Sequence, residues 1–300
     1  MWTKNNIPDL SGKTVIVTGA NNGIGLEITH AVYEKGATVI MACRNSDNAE
    51  QAVRHLKKRG GNGTLKIELL DLANLKQIKG FSDKILNDHE KIDLLFNNAG
   101  TMVPPAAKTD DGFELQFGVN FLGHFALTGH LYPRLKTNKG ARIVTMSSGA
   151  HKFVDRIDFG NLRLEIPYDA FREYAVSKLA NLQFMCHLHE LATLKGDQLL
   201  SLAAHPGVSD TGLSRHMAAA DYDAAVKQFG KLMPAWQGAL PALFAGISDE
   251  VNGGEYFGPD GLNELKGYPA RAAVSAPAVD SSQGALLWDY ACQHTGLQFP

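Results

Sequence analysis

The sequence predicts a doubly wound α/β domain, with a mostly parallel sheet of seven strands and helices on both faces. Short runs rich in Val and Ile alternate with longer segments of helical period, and a glycine-rich turn joins the first run to the first helix. The expected strands are 14–18, 38–42, 65–70, 92–96, 142–146, 199–204 and 255–257. Nothing between them resembles a linker or a repeat, so we expect one domain over residues 1–300 with its core at about 10–260.

The segments between the strands predict helices, and two connections depart from that rhythm. The expected helices are 24–35, 47–59, 75–89, 111–136, 170–194 and 235–247. Residues 149–169 and 212–234 follow the carboxyl ends of strands, where open α/β sheets bind ligands, so we expect them to be substrate loops. The C-terminal extension, 258–300, leaves two interpretations open: a last helix packed on the body, or a segment that projects towards a partner.

Composition narrows the classes of partner and the compartment. The chain has 29 Lys+Arg against 31 Asp+Glu, a net charge of −2, which argues against nucleic acid or an anionic membrane as the main partner. Three widely spaced cysteines form no disulfide or metal pattern, so we expect a cytoplasmic protein: Cys43, Cys186 and Cys292. The start lacks a signal peptide, and the uncharged run 232–248 is broken by prolines, so no transmembrane segment is expected.

The glycine-rich turn is Thr18-Gly-Ala-Asn-Asn-Gly-Ile-Gly25, directly before the first helix. Small residues let a backbone approach a diphosphate, and a helix N-terminus supplies N–H donors. A P-loop would need Lys-Ser/Thr after the last glycine, where Leu-Glu stands, and Ile28 replaces the third glycine of Gly-x-Gly-x-x-Gly. Taken alone, the turn is either a nucleotide site or a glycine-rich turn without a ligand.

The end of the second strand bears on the choice of nucleotide. Dinucleotide folds that bind NAD place an acidic residue there, whereas Arg accommodates a 2′-phosphate. This chain has Arg44 and no carboxylate at that point, which favours NADP(H) over NAD(H). Asp47 is an alternative ribose ligand, although it more naturally opens the next helix.

Tyr174 and Lys178 are four residues apart on a predicted helix and therefore share a face. Lowering a phenol pKa from about 10 to about 7 requires about 4 kcal/mol, much of which a fixed ammonium can contribute. The same pair also occurs by chance on solvent-facing helices. The spacing alone makes Tyr174 a candidate acid/base and no more.

Six motifs together resemble the short-chain dehydrogenase/reductase family in order and spacing, over about residues 10–260. They are Thr18-Gly-x-x-x-Gly-x-Gly25, Asn97-Asn98-Ala99-Gly100, Asn120, Ser147-Ser148, Tyr174-x-x-x-Lys178 and Pro206-Gly207. The stretches 42–45, 119–125, 147–152, 177–181 and 205–208 look like its retinol-dehydrogenase-like branch. The resemblance implies a Rossmann-type fold.

The resemblance also implies roles for four catalytic residues. Tyr174 would be the general acid/base, and Lys178 would lower its pKa and hold the nicotinamide ribose. Ser148 would bond the substrate oxygen, while Asn120 would anchor a water that relays protons to Lys178.

Cofactor contacts are implied in the same way, along the ends of successive strands. Asp71 and Leu72 match an adenine-contacting pair, and Val208 and Thr211 match positions near the nicotinamide carboxamide and diphosphate. The full expected set is Gly19, Asn21, Asn22, Gly23, Ile24, Gly25, Arg44, Asp71, Leu72, Asn98, Ala99, Gly100, Tyr174, Lys178, Val208 and Thr211. No metal is expected, because His187 and His189 are two apart and face different sides of a helix.

The substrate region and the subunit face are less defined by the motifs. Ser148 and Tyr174 are 26 residues apart, about twice the gap in the shortest relatives as the resemblance suggests, so 149–169 contains an insertion. Six residues in or beside the two loops predict an apolar pocket: His151, Phe153, Phe171, Met217, Met233 and Trp236.

Four phenylalanines recur every four residues as a helix-core or subunit stripe: Phe113, Phe117, Phe121 and Phe125. Helices 111–136 and 170–194 form the subunit interface in many relatives, which makes a homodimer the expected assembly.

The sequence therefore predicts an NADP(H)-dependent oxidoreductase that interconverts a carbonyl and an alcohol by hydride transfer, on a hydrophobic aldehyde or ketone. A nucleotide-sugar epimerase or dehydratase would space its glycines differently from positions 19, 23 and 25. A non-catalytic NADP-binding redox sensor or scaffold would be marked by loss of the Ser, Tyr or Lys, and all three are present.

Overall fold

The protein, described by a computed structural model over residues 1–211, 227 and 230–300, is built on one large twisted sheet. In chain order its strands are β1 (Thr14–Thr18), β2 (Thr38–Cys43), β3 (Thr64–Leu69), β4 (Leu94–Asn97), β5 (Arg142–Met146), β6 (Leu200–Ala204), β7 (Ser209–Asp210), β8 (Met233–Pro234), β9 (Tyr256–Pro259) and β10 (Pro269–Arg271). Eight strands form the sheet in the order β10-β9-β6-β5-β4-β1-β2-β3, while β7 and β8 pair separately. This is the predicted doubly wound α/β class.

The predicted number of seven strands is wrong by one. The eighth strand, β10, pairs antiparallel with β9 at the edge, whereas the other strands of the large sheet run parallel. Only three residues long and beginning with a proline, β10 gives no alternating pattern that a sequence analysis could detect. The same holds for the two-residue strands β7 and β8.

Helices cover both faces of the sheet. They are α1 (Gly23–Glu34), α2 (Ser46–Arg59), α3 (Leu75–Asp88), α4 (Leu115–Phe117), α5 (Gly123–Leu135), α6 (Ala170–Lys195), α7 (Ala235–Gly238), α8 (Leu240–Ile247) and α9 (Ser281–Thr295). The predicted helix 111–136 is wrong at its start, because Glu114 caps α4 by accepting the N–H groups of Gln116 and Phe117. A π-helical segment, Gly118–Leu122, then joins α4 to α5. Within the described ranges, no helix has the length and apolar character needed to span a bilayer.

Each strand of the sheet centre buries both of its faces. Ile16 packs in the layer formed with α3, α5 and α6, while its neighbours Val15 and Val17 pack in the layer formed with α1, α2 and α8. This explains why the strands read as continuous apolar runs rather than as alternating ones. The carboxyl ends of the parallel strands consequently meet along one edge of a rigid platform.

The C-terminal extension packs on the body through α9, the first of the two interpretations left open. The phenylalanine stripe of α4 and α5 meets this segment: the Phe125 ring centroid lies 5.0 Å from those of Trp288 and Phe299. Trp288 also stacks on Phe184 of α6 at 5.9 Å. The four phenylalanines therefore belong to the internal core. Part of the helix surface that was expected to contact a second subunit is covered by the C-terminal extension of the same chain.

Candidate active site

A cleft of about 1650 Å³ opens at the carboxyl ends of the parallel strands. Every residue predicted to contact the cofactor lines this cleft, from Gly19 on the glycine turn to Thr211 beyond β6, and so does Ser148. Strand ends that are far apart in sequence converge here because the sheet is parallel. The convergence is observed, whereas the contacts with a cofactor stay a prediction.

The glycine turn is shaped by close backbone approach. A Cβ at Gly25 would collide with the Gly19 carbonyl and the Asn98 side chain, and Gly19 itself has φ of 66°. Asn22 precedes α1 and makes no side-chain cap hydrogen bond within the described part of the chain. The turn thus brings an N-terminal helix end with backbone N–H donors to the cleft, the arrangement that suits a diphosphate.

Thr18 and His124 form a buried hub beneath this turn. The Thr18 Oγ1 accepts the N–H groups of Asn98 and Ala99, each at 2.9 Å, and lies 2.9 Å from His124 Nε2. His124 Nδ1 lies 2.9 Å from the Asn120 carbonyl, so it must carry the proton and Nε2 accepts from the Thr18 hydroxyl. Burial lowers the pKa of His124 to about 4, which keeps the ring neutral. No sequence argument singled out His124, although a His on an otherwise buried helix was a usable signal.

The Ser, Tyr and Lys of the motif meet at the middle of the cleft. Tyr174 and Lys178 project from α6 and are nearly fully buried, while Ser148 follows β5. The Lys178 Nζ donates to the Met146 carbonyl at 3.1 Å and lies 5.6 Å from the centroid of the Tyr174 ring. Ser147 is structural, since its hydroxyl donates to the Lys178 carbonyl at 2.8 Å.

In this arrangement the pKa of Tyr174 is raised rather than lowered. Burial raises the pKa of Tyr174 to about 12, opposed only in part by its hydrogen bond with Ser148. Burial also lowers the pKa of Lys178 to about 8. Desolvation dominates because the ammonium is bonded to a carbonyl rather than to the phenol. Tyr174 is consequently a protonated phenol at neutral pH.

Asn120 is fully buried behind the cleft and does not line it. Its side-chain Nδ2 donates to the Thr101 carbonyl and to Ser177 Oγ, both at 3.0 Å, and its Oδ1 accepts the Thr101 N–H at 2.8 Å. It therefore connects the turn after β4 to α6 at Ser177, one residue before Lys178. The expected water-anchoring role of Asn120 stays a prediction.

Two expected cofactor residues occupy the adenosine end of the cleft. Arg44 is exposed just after β2 and makes no ion pair with any described residue. Asp71 accepts the Ala73 N–H at 2.9 Å, which fixes the turn after β3. Asp47 lies in the first turn of α2, after the N-cap Asn45, which agrees with the expectation that it opens this helix.

The expected apolar pocket is only partly correct. Phe153 and Phe171 line the cleft, with ring centroids 5.4 Å apart, whereas His151 and Met233 are buried away from it. Trp236 is half-exposed outside the cleft, and Met217 lies outside the described residues, as does most of the loop 212–234. An apolar wall that no motif predicted comes from three places: Met102, residues 104–107, and Leu115 with Val119.

Gln116 holds that missed wall in place. Its Oε1 accepts the Val103 N–H at 2.9 Å, and its Nε2 donates to the Ala170 carbonyl at 2.8 Å and to Tyr168 Oη at 3.1 Å. Val103 has φ of 45°, a strained value for a β-branched residue. In the sequence, only a glutamine two residues after Glu114 points to this link, and the residue type does not reveal which segments Gln116 bonds.

The C-terminal extension also reaches the cleft, through Asn263, Glu264 and Leu265. His205 accepts the Gly207 N–H on Nδ1 at 3.3 Å and places Nε2 3.3 Å from Glu264. Across the described ranges, His, Cys, Asp and Glu side chains form no cluster of three that could bind a metal ion.

A doubly wound sheet with a glycine turn and a Ser, Tyr and Lys set in one cleft defines a Rossmann-type oxidoreductase. A family profile described as short chain dehydrogenase matches residues 13–221. The chain is 37% identical to retinol dehydrogenase 13 of Mus musculus over 298 residues, covering 96% of this chain and 85% of that protein. It therefore belongs to the short-chain dehydrogenase family, in the retinol-dehydrogenase-like branch.

Solved structures share the fold. The crystal structure of an uncharacterised protein from Mycobacterium paratuberculosis superposes with a TM-score of 0.83 at 36% identity, covering 100% of this chain and 99% of that one. An NADP-bound structure from Beutenbergia cavernae, described as a NAD(P)-dependent gluconate 5-dehydrogenase, gives 0.65 at 24% identity, covering 83% and 95%. At that identity the likeness shows the fold alone.

Proposed function

We propose that this protein is an NADP(H)-dependent reductase or dehydrogenase that interconverts a hydrophobic aldehyde or ketone and its alcohol. One observation carries the proposal: the buried side chains of Tyr174 and Lys178 lie with Ser148 and the glycine turn in one cleft. The name of the 37% identical mouse relative supports a retinoid as one candidate substrate.

The cleft fits a dinucleotide. The close approach of Gly25 to Gly19 and the uncapped start of α1 suit a diphosphate, and Lys178 lies within the cleft where a ribose would reach it. When bound, the nicotinamide supplies or accepts the hydride. Every other requirement of the reaction falls on the chain: to hold the carbonyl oxygen, to move a proton and to exclude water.

Tyr174 and Ser148 would hold the substrate oxygen with their hydroxyl groups, and in reduction Tyr174 would give its proton to that oxygen. A pKa of about 12 keeps this proton on Tyr174 at pH 7 until the oxygen becomes more basic. Lys178, with its pKa near 8, still carries its charge at pH 7 and would stabilise the phenolate that forms.

The purified protein should consume NADPH with members of a panel of apolar aldehydes and ketones. Tyr174→Phe removes the proton donor but keeps the ring, so we expect kcat to fall about 10²–10⁴-fold while NADPH affinity is retained. Binding of NADPH without turnover of any carbonyl would favour the alternative, a non-catalytic sensor or scaffold.

The preference for NADP(H) rests on Arg44, which stands exposed at the adenosine end where a NAD-binding fold has a carboxylate. Arg44→Ala should raise the KM for NADPH about tenfold or more, since a charge-assisted hydrogen bond to the 2′-phosphate is lost. The KM for NADH, which lacks that phosphate, should change little. Equal changes for the two coenzymes would contradict the assignment.

A further inference from the structure

The loop Gly261–Gly267 of the C-terminal extension forms one wall of the substrate end of the cleft. Its residues Asn263, Glu264 and Leu265 line the cleft together with Lys152 and Phe153 from the connection after β5. The loop is bonded to the segment expected to meet the nicotinamide, because the Val208 N–H donates to the Leu265 carbonyl at 2.8 Å. A part of the chain outside the motifs thus faces the reacting groups.

The backbone of this loop is strained at Glu264, the residue whose carboxylate lines the cleft. Asn263 and Glu264 have φ of 54° and 59°, in the left-handed region that side chains disfavour. The Gly261 N–H donates to the Lys266 carbonyl at 2.8 Å, and the Glu264 N–H donates to the Gly261 carbonyl at 2.9 Å. Such strain persists only where the surroundings over-determine it, and it concentrates at functional sites.

Two donors and a nearby histidine ring surround the Glu264 carboxylate. Oε1 accepts the Ala273 N–H at 2.6 Å, and Oε2 lies 3.2 Å from Lys152 Nζ and 3.3 Å from His205 Nε2. These contacts hold the pKa of Glu264 at about 2, so the group is ionised at any working pH. The side chain keeps about a fifth of its surface exposed, and it is open to the cleft rather than sealed in the core.

The charges that face the cleft from the described residues are few. They are Arg44 and Asp71 at the adenosine end, Lys178 at the reacting centre, and Lys152 with Glu264 at the substrate end. Without Glu264, Lys152 would be an unpaired ammonium beside the apolar rings of Phe153 and Phe171 and would attract an anionic substrate. With Glu264 present, the charges of Lys152 and Glu264 cancel, and the carboxylate is held in place at the cleft.

We propose that Glu264 is a specificity-determining residue: by neutralising Lys152 it removes the net positive charge from this wall, so that the cleft selects uncharged carbonyl compounds over carboxylate-bearing ones. This inference rests on the proposed carbonyl reduction and adds the class of substrate that the same site rejects.

Two aldehydes of similar size and shape test it, 4-methylbenzaldehyde and 4-carboxybenzaldehyde, assayed at saturating NADPH. The ratio of their kcat/KM values reports the charge selectivity, and effects on the cofactor or on the chemical step cancel in it. Glu264→Gln keeps the shape of the side chain and leaves Lys152 unpaired, so the ratio should shift about tenfold towards the carboxylate. Lys152→Met leaves the carboxylate alone and should shift the ratio in the opposite direction.

The double variant with both substitutions restores a neutral wall, and its ratio should lie between those of the single variants. Asp83→Asn is the matched control, because it removes one carboxylate from the Lys79–Asp83 surface pair on α3, and its ratio should stay that of the wild type. If Glu264→Gln and Lys152→Met both leave the ratio of an active enzyme unchanged, or move it in the same direction, the inference is wrong. If the wild type reduces no carbonyl compound at all, the proposed function fails and the inference fails with it.

Discussion

In each half of the cleft a buried side chain joins distant segments, and the two side chains, His124 and Gln116, differ in what they hold. In the cofactor half, His124 connects Thr18, and through it the turn at Asn98, to the π-helical segment, using a strand end already fixed by the sheet. In the substrate half, Gln116 connects the irregular segment around Val103, which no strand positions, to the start of α6 at Ala170. The first half is a rigid platform with a hub beneath it, whereas the second depends on side-chain links for its shape.

The aromatic cluster between α6 and the C-terminal helix α9 offers the largest test, because it decides whether the C-terminal extension, which also reaches the substrate half of the cleft, is part of the common core. Trp288 is buried against Phe125, Phe184 and Phe299. Trp288→Ala should lower the free energy of unfolding by about 3–5 kcal/mol, from lost burial and the cavity left behind. Leu286→Ala, at a half-exposed site on the same helix, is the control and should cost far less. Urea unfolding followed by circular dichroism measures both. A small change in the Trp288 variant would mean that the tail is not part of the cooperative core.

The contrast between the two halves of the cleft also explains which parts of the fold and of the site could be predicted from the sequence. The strands 14–18 and 142–146 and the glycine, Asn-Asn-Ala-Gly, Ser, Tyr and Lys positions were predictable, because backbone approach and strand ends impose fixed residue types at fixed spacing. The wall at Met102 and the loop at Glu264 were not, because their partners lie far away in the chain and no spacing encodes them. The raised pKa of Tyr174 was not predictable either, since spacing along a helix says nothing about desolvation.

The second test concerns the hub of the cofactor half and its response to pH. The pKa of His124 is about 4 in the folded chain and about 6.5 when unfolded, so between these values only the unfolded chain binds the proton. The folded state therefore loses stability as the pH falls from about 6.5 to 4, by about 3 kcal/mol from this residue. His124→Gln can keep both hydrogen bonds but does not titrate.

Chemical unfolding of the wild type and of His124→Gln at several pH values isolates this contribution, since all other titrating groups are shared. The stability of the wild type relative to the variant should fall as the pH is lowered through that window and level off below it. A difference that stays constant from pH 7 to 4 would show that His124 is not held as a buried neutral ring.

The smallest expected effect belongs to the hub of the substrate half. Gln116→Leu fills a similar volume but removes the acceptor of the Val103 N–H and the donor to Ala170 and Tyr168, so the strained loop is released from its position. We expect kcat/KM for an apolar aldehyde to fall about tenfold, as for loss of one or two hydrogen bonds that position a binding wall, while the KM for NADPH stays near that of the wild type. Gln77→Leu on the exposed face of α3 is the control and should change neither quantity. If Gln116→Leu instead raises both KM values together, the two halves share one structural unit, and the separation between a sheet-fixed cofactor half and a link-dependent substrate half does not hold.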